Sequence, residues 1–151
     1  MTSTRPASAT AALVLDDGSV FWGQGLGAQN PDADAQSVGE ICFNTGLTGY
    51  QEILTDPSYA GQMITFTFPH IGNVGTNLED IETTTPAARG LILRADITTP
   101  SSWRAAKPLN DWLTSYNMTG IAGVDTRQLT RRLRDHGAAR GVLAFPSDGV
   151  I

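Results

Sequence analysis

The sequence predicts an α+β domain, or one layered as β/β/α, rather than a doubly wound nucleotide-binding sheet. Strand-like segments cluster in the first half of the chain, helix-like segments cluster in the second half, and the two types do not alternate regularly. The length of 151 residues and the hydrophobic content of 40% predict one compact domain with its own core, without room for a second full domain.

Charge, cysteine content and hydropathy exclude several classes of protein. The net charge of −5, from 10 Lys+Arg against 15 Asp+Glu, argues against nucleic acid as a partner, because phosphate backbones would be repelled. The single cysteine, Cys42, excludes an internal disulfide framework and is compatible with a reducing compartment. No apolar run reaches the ~18 residues that a membrane-spanning helix needs. We therefore expect a cytoplasmic protein with no membrane partner.

Residues 1–11 predict a disordered tail, and residues 12–151 predict the folded domain. The tail is small and polar, contains one arginine and no acid, and lacks the apolar segment of a secretory signal. A transit peptide, which is also serine-rich and poor in acids, is the weaker alternative because a single arginine gives it little support.

The first half of the chain predicts three strands before any helix. Residues 12–16 and 19–24 flank Asp17-Gly18, a dipeptide suited to a two-residue hairpin turn. A polar loop then leads into a third strand at 38–46, which is rich in β-branched and aromatic residues. The glycines at 23–28 have the spacing G-x-G-x-G, which does not match a dinucleotide fingerprint, so we interpret them as the end of a strand.

A short helix, a turn and a buried strand are predicted next. The helix covers residues 48–54 and ends because Pro57 forces Asp56 towards an extended backbone. The buried strand covers 62–68. The glycine-punctuated loop and acidic segment at 69–88 form a long, exposed connection, which is often functional surface.

The second half predicts a strand at 90–98, a helix from Pro108 to residue 117, a short apolar segment at 120–125 and a last strand at 139–145.

The best-defined helix lies between the last two of these segments. Asp125 is placed as its N-cap, with Gln128 at the third helical position. Leu129 and Leu133 share one face, and Gly137 provides the stop.

The sequence contains no self-sufficient catalytic or metal-binding set. Cys42 lies between two bulky apolar residues, so we interpret it as a core thiol; a self-contained thiol enzyme is a weak alternative. His70 and His136 are far from each other and from Cys42, which argues against a metal site. The loop at 72–77 lacks the lysine and spacing of a P-loop and is interpreted as a structural turn.

Arginines form a local basic stripe on an otherwise acidic protein. Arg127, Arg131 and Arg134 fall at i, i+4 and i+7 of the late helix, with Arg132 and Arg140 close in sequence. The stripe is either a solvated face that complements the helix dipole or a docking face for an acidic partner, and the residues alone leave both open.

The block FNTGLTGYQEILTDPSYAGQMITFTFPHIGNVGTN at 43–77 closely resembles the N-terminal domain of the small, glutamine-hydrolysing subunit of carbamoyl phosphate synthase. Further support comes from LVLDDGSVFWGQGLGA, VGEICFNTG, ARGLILRA and GIAGVDTRQLTRRLRDHGAARG, so the resemblance runs from about residue 12 to 145. It implies a layered β/β/α domain with mixed sheets and a few short helices. In that family a class I amidotransferase domain with a Cys-His-Glu triad follows, and this chain has no matching G-x-C-x-G nucleophile elbow.

The resemblance also implies a function and partners. The small subunit releases ammonia from glutamine, and the large subunit uses it with bicarbonate and ATP to make carbamoyl phosphate for arginine and pyrimidine synthesis. The implied partners are the large subunit, the chain's own C-terminal amidotransferase domain and glutamine. No cofactor is expected in this chain, because ATP and magnesium are expected at the large subunit. The alternative is a stand-alone, non-catalytic interaction module of the same fold.

Ser58 is the one site residue that the resemblance assigns, and it assigns no catalytic or metal-binding residue. In the family, the serine of the L-T-D-P-S-Y motif helps to hold glutamine at the amidotransferase site across the domain boundary. A hydroxyl can donate and accept hydrogen bonds together, and Pro57 restricts the backbone that presents it. The alternative is that Ser58 only caps its turn.

Overall fold

The computed structural model describes residues 5–29, 38–44, 56–66, 88–94, 111 and 113–146. The strands of this part of the chain are β1 (Ala11–Leu15), β2 (Val20–Gly27), β3 (Val38–Asn44), β4 (Gln62–Phe66), β5 (Gly90–Leu93), β6 (Thr119–Ala122) and β7 (Ala139–Ala144). A 3-10 turn covers Pro57–Tyr59, and the helix α1 covers Thr126–His136.

The strands form one closed barrel in the order β1-β2-β6-β5-β4-β3-β7. The barrel closes because β7 pairs antiparallel with both β1 and β3. The run from β3 through β4 and β5 to β6 is parallel, and the other pairs are antiparallel. The described part of the chain is therefore mostly mixed sheet with few helices, which agrees with the α+β class. The separate layers of the predicted β/β/α arrangement stay a prediction.

The first hairpin is confirmed, but its turn is one residue longer than predicted. Leu15 N–H donates to the Ser19 carbonyl at 2.8 Å, and Gly18 N–H donates to the Leu15 carbonyl at 3.0 Å. Gly18 has φ +91 and completes a three-residue loop, Asp16-Asp17-Gly18. The prediction of a two-residue turn is wrong. The favoured turn of that length needs two residues with a positive φ, and Gly18 is the one residue of this loop that has it.

Two apolar clusters lie on opposite faces of the sheet. Successive residues of β5 alternate between them, since Leu91 and Leu93 belong to one cluster and Ile92 belongs to the other. The cluster that contains Ile92 receives side chains from all seven described strands and also takes Leu129 and Leu133 from α1. These two leucines hold the helix against the barrel, so its opposite face points to solvent.

Helix α1 begins and ends where the sequence predicts. The Asp125 carboxylate accepts a hydrogen bond from the Gln128 N–H at 3.1 Å, which satisfies one of the free donors of the first turn. Gly137 has φ +82, and its N–H donates to the Leu133 carbonyl at 2.9 Å. Leu129 is fully buried, as expected from its place on the apolar face.

The described residues cover other predicted elements only in part. Strands β3, β4 and β5 confirm the predicted strands as far as residues 44, 66 and 93. Strand β5 ends before Arg94, which is described and is not part of the strand, so the prediction that it continues there is wrong. Ala88, the last residue of the connection predicted to be exposed at 69–88, is buried instead. The predicted continuations of β3 and β4, residues 95–98, the helix at 48–54 and residues 69–87 of the connection lie outside the described residues. Within the predicted helix at 108–117, residues 111 and 113–115 are helical. No helix in the described ranges is long and apolar enough to cross a membrane.

The end of the predicted tail contacts the barrel. Thr10 N–H donates to the Gly23 carbonyl at 3.0 Å, and Gly25 N–H donates to Thr10 Oγ1 at 2.8 Å. Ala11 is the first residue of β1 and is fully buried. Pairing with β2 therefore begins inside the segment 1–11.

Candidate functional site

Ser58 lies on an exposed corner that leads into β4. Pro57 is the first residue of the 3-10 turn, and Asp56 before it is extended, with φ −70 and ψ 122. This geometry confirms the effect predicted for an Asp-Pro sequence. The Asp56 carboxylate accepts a hydrogen bond from the Ser58 N–H at 2.9 Å, so the cap of this turn is Asp56 rather than the Ser58 hydroxyl. Ser58 itself is exposed.

Neighbouring residues hold this corner against the barrel. Tyr59 N–H donates to the Asp56 carbonyl at 3.1 Å, and Asn44 Nδ2, at the end of β3, donates to the Tyr59 hydroxyl at 3.2 Å. The Tyr59 ring packs against the cluster that contains Phe66. Gly61, with φ +78, then turns the chain into β4. The corner thus presents Ser58 from a backbone with few degrees of freedom.

Cys42 is partly buried in β3 and packs against the same cluster as Tyr59. Its thiol donates to the Met63 carbonyl at 3.7 Å. Burial, with a smaller contribution from the charge of Glu40, raises the pKa of the Cys42 thiol from 9.0 to about 11. A nucleophilic cysteine needs the opposite shift, so this environment supports a packing role.

The raised pKa predicts slow thiol chemistry. At pH 8 a pKa of about 11 instead of 9.0 lowers the thiolate fraction about a hundredfold, and the greater nucleophilicity of the higher-pKa thiolate offsets about tenfold of this. Native Cys42 should therefore react with a disulfide reagent about tenfold more slowly than in the urea-unfolded chain. The measurement is the rate of mixed-disulfide formation in both states. Equal rates would contradict the raised pKa, and glutaminase activity of the chain that disappears in Cys42→Ser would restore the thiol-enzyme alternative.

The described residues contain no group of three or more His, Cys, Asp or Glu that could hold a metal ion. His136 is exposed at the end of α1, and His70 lies outside the described residues. The absence of a metal site at His70 and His136 stays a prediction.

The predicted arginine stripe separates into different environments. Arg132 is paired with Asp17 of the first hairpin, with 2.7 Å between its Nη2 and the Oδ2 of the carboxylate. Hydrogen bonds from Ser19, with a smaller contribution from Arg132, hold the pKa of Asp17 below its usual value. Arg140 is exposed on β7. Both therefore lie outside the face formed by the remaining three arginines.

Those three arginines line an open groove of about 510 Å³, which we call the arginine groove. Its lining residues come from three parts of the fold and are Phe43, Arg94, Thr126, Arg127, Thr130, Arg131 and Arg134. Sequence reasoning missed Phe43, because a phenylalanine in an apolar strand predicts a core position. Arg94 follows directly after the buried strand β5, and a charged residue in that position was the one sequence feature that could have indicated this groove.

Comparisons with known proteins agree on one family. The chain matches the model of the carbamoyl-phosphate synthase small chain, CPSase domain, over residues 13–143. It is 58% identical over 144 residues to the carbamoyl phosphate synthase small chain of Bradyrhizobium diazoefficiens, which covers 93% of this chain and 35% of that protein. It is 56% identical over 140 residues to that of Ruegeria pomeroyi, with 93% and 35% covered. For Agrobacterium fabrum the identity is 54% over 158 residues, with 100% and 38% covered. The chain thus spans little more than a third of the length of these relatives.

Proposed function

We propose a function from the premise that this chain belongs to the carbamoyl-phosphate synthase small chain family. The chain acts as the N-terminal domain of the small subunit of a glutamine-dependent carbamoyl phosphate synthase. That subunit supplies ammonia from glutamine, and the large subunit combines the ammonia with bicarbonate and ATP. The observation that carries the proposal is the match over residues 13–143. The same proposal includes a cytoplasmic location, a heterodimer of the small and large subunits, and the layered β/β/α arrangement of this domain.

This domain's part in the reaction is to position glutamine and to support the two partners. The α-amino and α-carboxylate groups of glutamine need polar anchors, and the Ser58 hydroxyl can both donate and accept. Support comes from the exposure of Ser58 and from the corner that Asp56 and Tyr59 hold in place. The thiolate nucleophile is assigned to the amidotransferase part of the subunit, because Cys42 has a raised pKa. ATP and magnesium are assigned to the large subunit.

The experiment combines the full-length small subunit with its large subunit and measures carbamoyl phosphate formation. Ser58→Ala should raise the KM for glutamine about tenfold, which corresponds to one lost hydrogen bond to a charged group. Synthesis from added ammonia should be unchanged, because ammonia does not use the glutamine site. Ser8→Ala, at another exposed serine, is the matched control.

Two failures of this experiment mean different things. An unchanged KM in Ser58→Ala would remove Ser58 from the glutamine site while leaving the family function in place. Absence of glutamine-dependent product with the full-length wild-type subunit and an active large subunit would overturn the proposed function itself. The alternative, a stand-alone interaction module, would be favoured by a natural stop codon directly after residue 151.

A further inference from the structure

We propose that the arginine groove binds an acidic polypeptide segment that carries an apolar side chain. The inference rests on the groove's own chemistry and does not depend on the proposed function. The groove lies between the solvent-facing side of α1, the end of β3 and the residue that follows β5. It thus combines side chains that are far apart in sequence.

The charge of the groove is concentrated and uncompensated in the described part of the fold. Arg94, Arg127, Arg131 and Arg134 are all exposed, on a chain whose net charge is −5. The ion pair between Arg132 and Asp17 involves none of these four guanidinium groups, and no described carboxylate lies within 4.0 Å of them. Guanidinium groups form bidentate hydrogen bonds with carboxylates, so a ligand with acidic groups would complement the groove.

Thr130 is a further residue that lines the groove between the arginines. It is only 8% exposed, yet its Oγ1 has no hydrogen-bond partner among the described residues. A buried hydroxyl without a partner costs about 1–3 kcal/mol, so such groups need an explanation. Because Thr130 Oγ1 is itself buried, a ligand carboxylate would reach it only after neighbouring side chains moved, so the charge of the groove and the exposure of Phe43 carry the proposal.

Phe43 gives the groove an apolar contact. It is 41% exposed, and it is the one large hydrophobic side chain that is exposed in the described ranges. Its ring borders the arginines rather than the apolar clusters. A ligand with both negative charge and an apolar side chain would cover both features.

The spacing of the charges favours a polypeptide over a small anion. Arg127 and Arg134 are seven residues apart on α1, which is a rise of roughly 10 Å, and Arg94 adds a charge from outside the helix. A single phosphate contacts one or two such groups, whereas an extended acidic segment places carboxylates on one side about every 7 Å. The net charge of −5 disfavours nucleic acid as the occupant.

The test measures binding of a fluorescent peptide of about ten residues, glutamates around a central leucine, to the 151-residue chain by fluorescence anisotropy. We expect binding that weakens with added salt. The double variant Arg131→Ala/Arg134→Ala should weaken it about tenfold, and Phe43→Ala should weaken it severalfold. Arg140→Ala, an exposed arginine outside the groove, is the matched control and should bind as the wild type does.

Each other outcome would overturn the proposal. No binding at low salt would mean that the groove does not take an acidic segment. An equal loss in Arg140→Ala would mean that the peptide responds only to general charge. Equal affinity for a peptide of glutamate alone, with no effect of Phe43→Ala, would remove the apolar requirement. Displacement of the peptide by inorganic pyrophosphate at far lower concentration than by unlabelled peptide would identify a small-anion site. Thermal unfolding of each variant shows whether it is folded, and none of these assays involves carbamoyl phosphate synthesis.

Discussion

Gly27→Ala should destabilise the barrel by about 3 kcal/mol or more, which is a large part of the stability of an ordinary domain. Gly27 has φ +71, where an L side chain is strained. A Cβ added there would overlap the Met118 carbonyl oxygen and lie 2.7 Å from Leu113 Cβ. The carbonyl cannot move easily, because it accepts the Ala28 N–H at 2.9 Å across the pairing of β2 with β6. Urea unfolding followed by circular dichroism measures the effect.

Gly18→Ala is the matched control for this prediction. Gly18 also has a positive φ, +91, but a Cβ added there meets no atom within 4 Å. The substitution therefore carries the backbone cost alone, about 1–2 kcal/mol. A Gly27→Ala variant that lost no more stability than Gly18→Ala would show that the chain around Met118 relaxes, and that close approach of the backbones does not hold β2 to β6.

The parts of the fold that depend on neighbouring residues could be predicted from the sequence. The ends of α1 follow from Asp125 and Gly137, and the extended backbone of Asp56 follows from Pro57. The closed barrel could not be predicted in this way. It depends on β7 pairing with β1 on one side and β3 on the other, and these partners are set by packing over long distances in sequence.

The same distinction explains the candidate sites. The Ser58 corner lies in one short segment, so its turn could be predicted locally, although its proposed role in binding glutamine comes from the family resemblance. Closeness in sequence groups Arg132 with the arginine stripe, but Arg132 pairs with Asp17, more than a hundred residues earlier. Phe43 and Arg94 join the arginine groove only because the barrel brings β3 and β5 beside α1. Sequence spacing within one helix contains no information on such contacts.

Phe66→Ala should cost about 3–5 kcal/mol, because Phe66 is fully buried and its removal leaves a cavity among packed aliphatic side chains. The matched control is Phe43→Ala on the neighbouring strand, where Phe43 is the register partner of Thr65. Phe43 is 41% exposed, so its truncation should cost only about 1–2 kcal/mol. Urea unfolding of both variants makes the comparison.

The pair of variants also separates stability from binding. If Phe43 is exposed because a partner covers it, Phe43→Ala should lower the unfolding midpoint much less than Phe66→Ala does, while losing affinity for the acidic peptide. Phe66→Ala should lower stability strongly but keep its affinity for the acidic peptide at temperatures where it is still folded, since its side chain does not line the arginine groove. A large loss of stability in Phe43→Ala would instead show that its ring packs as part of the core, and the apolar half of the proposed site would then be wrong.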